Sequence, residues 1–145
     1  MMNRLIVLSV AALASACLFA AYGAEKEKKP IKIDASKLPP AAAKQGVTYA
    51  TDIKPIFDNS CTKCHGEQKP KAHLRLDSLE GVLKGGEDGK VVAAGDATGS
   101  LLMANVAHLG DPDDYMPPPK NKAGIGPLTS QQIGLIRAWI EQGAK

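Results

Sequence analysis

Residues 58 to 68, DNSCTKCHGEQ, hold the side chains best equipped for chemistry. Cys61 and Cys64 are separated by two residues, and His65 follows the second thiol directly. Three chemistries use such a pattern: a redox disulfide, part of a zinc site, or the covalent anchor of a haem. Each makes a different demand on the rest of the chain.

A structural zinc site needs about four Cys or His ligands. Beyond the motif, only His73 and His108 are at hand, without paired spacing. A thioredoxin-like pair should open a helix in an α/β domain, and no matching strand pattern is present. A c-type haem needs two thiols, one for each vinyl group, and an axial imidazole. Two intervening residues make about one helical turn, so both sulfurs can reach one porphyrin edge, with the next residue beneath the iron. Haem c attached through Cys61 and Cys64, with His65 as proximal iron ligand, is therefore the reading that fits. A redox pair and a metal site stay open as alternatives.

A second axial ligand can be sought in the same way. In DDYMPPPK, Met116 is followed by three prolines. Proline fixes its own φ and restricts the residue before it, so the loop is stiff enough to hold a thioether against iron. Met/His ligation is an established haem pairing. Met103, on an apolar helical stripe, reads as core filling, and His73 and His108 are the runners-up to Met116.

The elements that must position these groups are short. TDIKPIF reads as a helix with Thr51 or Asp52 as its cap and Pro55 in the first turn, leading into the cysteine motif. Leu79, Val82 and Leu83 recur at helical spacing, and SLLMANVAHL forms another short helix with Ser100 as cap. The clearest element is LTSQQIGLIRAWIEQGAK. Thr129 and Gln132 make a capping box, Ile133, Ile136, Trp139 and Ile140 share one face, and Gly143 suits the stop. The chain is an all-α protein with long connections rich in glycine and proline. Two Phe, three Tyr and one Trp give its core little aromatic bulk, and a macrocycle could occupy the middle.

The N-terminus reads as an export signal over residues 1–24: Arg4, an apolar run from Leu5 to Ala21, then small residues. An uncleaved anchor, or lipidation at Cys17, would instead tie the chain to a membrane. Cleavage would remove Cys17 and leave the thiol pair in an oxidising compartment. Residues 25–45 read as a linker rich in Lys, Pro and Ala, and residues 46–145 as the compact domain. The chain has 18 Lys+Arg against 15 Asp+Glu. Six of those lysines (Lys26, Lys28, Lys29, Lys32, Lys37 and Lys44) precede residue 46. The basic balance thus belongs to the arm, and nucleic-acid binding is not expected.

Other motifs fail on inspection. KGGEDGKV lacks the first glycine and the final Ser/Thr of a phosphate loop. Asp111, Asp113 and Asp114 lack the spacing of a calcium loop.

The ordered set CTKCHG, LRLDS, LKGGEDGK, SLL, MPPP and LTSQQIGLIRAWIEQGA resembles the planctomycete-type cytochrome c domain over about residues 49 to 144. The resemblance implies a small class I-like cytochrome c fold, with short helices and long loops around one covalent haem. It implies attachment through Cys61 and Cys64, His65 and Met116 as iron ligands, and Trp139 packing on the haem side near the haem-binding helix. The expected function is that of an exported, periplasmic monohaem carrier of single electrons between transient redox partners. It would be loaded by the c-type haem maturation machinery and would not be an enzyme. The alternatives are a haem-based catalytic or sensory protein with a displaceable sixth ligand, and an electron-transfer subunit of a periplasmic dehydrogenase.

Overall fold

In the computed structural model, which describes residues 31–145, the chain is helical. Its α-helices are α1 (Lys54–Ser60), α2 (Thr62–His65), α3 (Leu79–Lys84), α4 (Leu101–Val106) and α5 (Ser130–Glu141). There is no β-strand among the described residues, only isolated bridges at Gly86–Gly89 and Ala93–Asp96. The expected signal at 1–24 and the first part of the expected linker lie outside the described residues.

Helix α5 forms where the capping box places it. The Gln132 N–H donates to Thr129 Oγ1 (3.2 Å), and the Thr129 N–H donates to Gln132 Oε1 (2.9 Å). Its apolar stripe then buries Ile133, Ile136, Trp139 and Ile140. Helix α1 begins differently from expectation. A π-helical turn, Tyr49–Ile53, precedes it, and the cap is Thr48 rather than Thr51 or Asp52. The reason is reciprocal bonding: Thr48 Oγ1 accepts from the Thr51 N–H, while the Thr48 N–H donates to Asp52 Oδ2 (3.0 Å). Asp52 is thereby occupied inside the turn, and Pro55 falls in the first turn of α1, where its missing N–H costs little.

Ser78 caps α3 as a hydroxyl acceptor for the Gly81 N–H, at 3.1 Å. Ser100 precedes α4 but makes no cap bond. Its fully buried hydroxyl accepts from the Ala93 N–H and donates to the Asp96 carbonyl, so it ties the preceding loop to the helix start.

The deepest part of the core lies between α5, α4 and the α1 entry. Trp139, Phe57, Ile53, Met103, Ile136 and Ile140 are fully buried there. Tyr49 joins the aromatics: its ring centroid is 6.2 Å from both Phe57 and Trp139. Met103 is core filling, as its position on the stripe implied.

The segment read as a linker is instead part of the domain from Ile31 onward. Ile33 and Leu38 are buried. The Ile33 N–H donates to Thr98 O, the Ala42 N–H to Gly134 O, and Arg137 Nη1 to Pro39 O. Gly134 makes this possible, because a β-carbon there would lie 2.5 Å from the Pro40 carbonyl oxygen. Two apolar anchors five residues apart produce no periodicity, and the remaining ties are long-range hydrogen bonds to Thr98 and to α5. Composition therefore mistook a packed arm for a spacer.

Candidate haem-binding cleft

Helix α1 ends where the Cys61 N–H donates to Phe57 O (2.7 Å), and α2 starts at once. The Cys64 and His65 N–H groups both donate to the Cys61 carbonyl, at 3.0 and 2.9 Å. The three motif residues thus share a single helical turn. Gly66 follows because the chain must leave that turn sharply: a β-carbon there would come 2.5 Å from the Thr62 carbonyl oxygen.

The segment Leu74–Asp77 supports His65 from the side. It is extended, so side chains alternate. Leu74 and Leu76 face the cleft, while Arg75 and Asp77 pair with each other at 3.0 and 2.7 Å. The Leu76 N–H donates to His65 O at 2.7 Å, and Leu74 O lies 3.3 Å from His65 Nδ1. A carbonyl can only accept, so the proton sits on Nδ1 and Nε2 keeps its lone pair. That is the tautomer an iron ligand needs. His65 is only 8% exposed. Burial lowers its pKa below the usual histidine value, partly opposed by backbone hydrogen bonds to Leu74 and Lys71. One layer further back, Tyr49 Oη donates to Leu76 O at 3.0 Å. Burial, reinforced by the nearby Asp58, Asp77 and Cys61, pushes the Tyr49 phenol up to about 12.

The facing wall comes from Leu101, Leu102, Asn105 and Val106 of α4, and from the loop carrying Met116, Pro117 and Pro118. The Met116 N–H donates to Asn105 O at 3.1 Å. The KNKAGIGP connection is closed by one side chain. Asn121 Nδ2 donates to Pro118 O and Ile125 O, while its Oδ1 accepts from the Ile125 N–H. Asn121, Ile125 and Leu128 then complete this side of the cleft.

Between the walls lies a cleft of about 1020 Å³, counting its open mouth. Cys61, Cys64, His65 and Met116 all line it, as do Glu87, Asp88 and Asp114. Trp139 does not. Its ring packs on Tyr49 and its indole N–H donates to Lys145 O, so it supports α1 through the aromatic core rather than forming the wall of the cleft. Neither runner-up histidine is in the wall: His73 is exposed, and His108 stacks on Tyr115.

The residues present suit a haem better than the rival chemistries. Cys61 and Cys64 are free thiols. Burial, with a smaller contribution from Cys64, pushes the Cys61 thiol up to about 12, the reverse of an activated redox cysteine. Among the described residues, no group of three or more His, Cys, Asp or Glu side chains converges as a metal site would require. A soft thioether and a neutral imidazole in one apolar cleft are instead a haem-iron donor set. Asn105 Oδ1 is buried without a hydrogen-bond partner in the same region, a polar atom whose complement the protein itself does not supply.

Sequence reasoning missed Tyr49, Asn105 and Asn121. Tyr49 and Asn105 sit within helical patterns that describe their elements but not their polar contacts. Asn121 did carry a signal, since asparagine between proline and glycine is a turn former.

Comparison with curated proteins and with solved structures gave no match. The family model described as Planctomycete cytochrome C matches residues 61–120. The match spans the blocks from CTKCHG to MPPP and stops short of α5, so it is narrower than the resemblance read from the sequence. It brings in covalent haem c as the family's cofactor, with Cys61 and Cys64 inside the matched segment. Over residues 61–120 the chain is thus similar to the Planctomycete cytochrome C family.

Proposed function

We propose that this protein is an exported monohaem c-type cytochrome that carries single electrons between redox proteins, built on a small class I-like fold. The observation that carries the reading is the convergence of Cys61, Cys64, His65 and Met116 on one largely apolar cleft. When bound, haem c supplies a one-electron ferric/ferrous couple. Cys61 and Cys64 hold it by thioether bonds, His65 offers the Nε2 lone pair, and Met116 offers its sulfur. Leu74, Leu76, Leu102 and Val106 exclude water, and an apolar shell disfavours the extra positive charge of the ferric state. Methionine ligation acts in the same direction and raises the potential.

Glu87, Asp88 and Asp114 give the cleft an acidic border, which favours partners with a basic face over a small, transient interface. The apolar N-terminal run supports export to the periplasm. Among the described residues no helix is long and apolar enough to cross a membrane.

The test is expression of the full chain with a c-type maturation system. One covalent haem by mass is expected, with a long-wavelength methionine-to-iron charge-transfer band in the ferric protein that Met116→Ala abolishes. A colourless product of haem-free mass would end the haem reading. A wild type lacking the band and binding carbon monoxide freely would replace the carrier with a catalytic or sensory protein.

A further inference from the structure

We propose that His108 is a positioning residue for the distal ligand: its ring, stacked on Tyr115, holds the backbone that presents Met116. The inference rests on the assignment of Met116 as the iron's distal ligand. Helix α4 ends at Val106, and two residues later His108 takes a left-handed backbone, with φ 54°. That region is uncommon for non-glycine residues, although histidine and asparagine tolerate it better than most. The loop that follows returns to its starting point. The His108 and Met116 N–H groups both donate to the Asn105 carbonyl, at 3.3 and 3.1 Å, so one oxygen ties the two ends of the 108–116 lobe.

The rings of His108 and Tyr115 close across this neck. Their centroids are 4.4 Å apart and their planes differ by 2°. Tyr115 immediately precedes Met116, so fixing its ring limits where the methionine backbone can go. Inside the lobe, the turn Pro112–Asp114 is stiffened by Asp111 Oδ1, which accepts from the Asp113 N–H. The start of the lobe is tied to α4 as well, where the Leu109 N–H donates to Ala104 O at 2.9 Å.

The ring of His108 acts through its face. Its Nε2 is buried and makes no hydrogen bond, and the side chain is not in the wall of the cleft. Two substitutions separate the ring from the backbone, with phenylalanine accepting the left-handed region less readily than histidine or asparagine. His108→Phe keeps an aromatic face, while His108→Asn keeps a residue that accepts the left-handed backbone but removes the ring.

The experiment compares haem-loaded wild type, H108F and H108N. Covalent haem content should be equal in all three, because Cys61, Cys64 and His65 lie on the opposite wall. H108F should keep the ferric charge-transfer band and the slow carbon monoxide binding of the wild type. H108N should show about a two- to tenfold larger share of methionine-released iron, the effect expected from losing one aromatic pair. That share is read from the band and from faster carbon monoxide binding.

Wild-type behaviour of H108N overturns the proposal, as does an H108F that is impaired as much as H108N. A wild type without the band overturns the distal-ligand assignment and this inference together. A banded wild type with an unaltered H108N overturns the inference alone. Should H108N fail to accumulate, Tyr115→Leu removes the same stack from the other side and is judged by the same outcomes.

Discussion

The two walls of the cleft are built on opposite plans. On the proximal side, five consecutive residues, Cys61 to His65, supply both thiols and an imidazole within one helical turn. On the distal side, Met116 sits in a loop without α-helix, tied to the end of α4 by one backbone bond and shaped by prolines and Asn121. The proximal wall is a local motif resting on a packed helix. The distal wall is a tertiary arrangement whose single donor depends on several weak, separate ties. Attachment should therefore be robust, and sixth-position ligation should be the property that sequence changes tune.

The sharpest break of this contrast comes from the donors themselves. Replacing Cys61 and Cys64 together by Ala should abolish covalent haem completely, measured as the loss of haem mass after denaturation. Met116→Ala should leave covalent haem at wild-type content while removing the charge-transfer band and lowering the potential. If Met116→Ala also lost the covalent haem, the walls would not be separable in the way their construction implies.

The same contrast explains what could be read from the sequence. The grouping of Cys61, Cys64 and His65 in one turn was legible because their spacing is local, and α5 because Thr129, Gln132 and the Ile133–Ile140 stripe satisfy local rules. Trp139 was legible as a core residue on its stripe. Its place outside the cleft wall was not, since that depends on how α5 packs against Tyr49. The arm at 31–45 was misread because two isolated apolar anchors, Ile33 and Leu38, and a few long-range hydrogen bonds such as Ile33 N–H to Thr98 O hold it, which leave no periodic trace. Met116 could be nominated from its prolines, but the Asn105 carbonyl that places it is common to every residue type.

The next largest effects separate scaffold from site. Trp139→Ala should cost about 3–5 kcal/mol in denaturant unfolding, the usual range for emptying a buried aromatic site. It should leave the spectrum of the folded haem protein unchanged, because the ring is not in the wall of the cleft. A displaced methionine band in Trp139→Ala would show that the aromatic core reaches the distal side after all.

Asn121→Ala should cost less, about 1–2 kcal/mol, because the three groups it satisfies are near the surface and water can replace it in part. Here the spectrum should change: the loop after the prolines loosens, and carbon monoxide binding to the ferrous protein should rise. The two variants together thus reverse the order of their effects between stability and ligation. A single rank order in both measurements would refute the separation.

The smallest effect concerns pH and belongs to the proximal scaffold. Asp52 accepts hydrogen bonds from the Lys44 ammonium and the Thr48 N–H at the entry to α1, and these lower its pKa from 3.8 to about 2. A carboxylate whose folded pKa is depressed adds stability above its unfolded value. That stability is lost as pH falls through the folded value. The wild type should therefore lose unfolding stability between about pH 4 and about pH 2. Asp52→Asn still offers an oxygen to the Thr48 N–H but no longer pairs with Lys44, so it should begin less stable at neutral pH and lose less on acidification. The denaturant midpoints of the two proteins should converge near pH 2, and parallel midpoints over the whole range would rule the contribution out. Asn121 does not titrate, so the difference between wild type and Asn121→Ala should stay constant over the same range. The two walls would then be told apart by acid as well as by ligand.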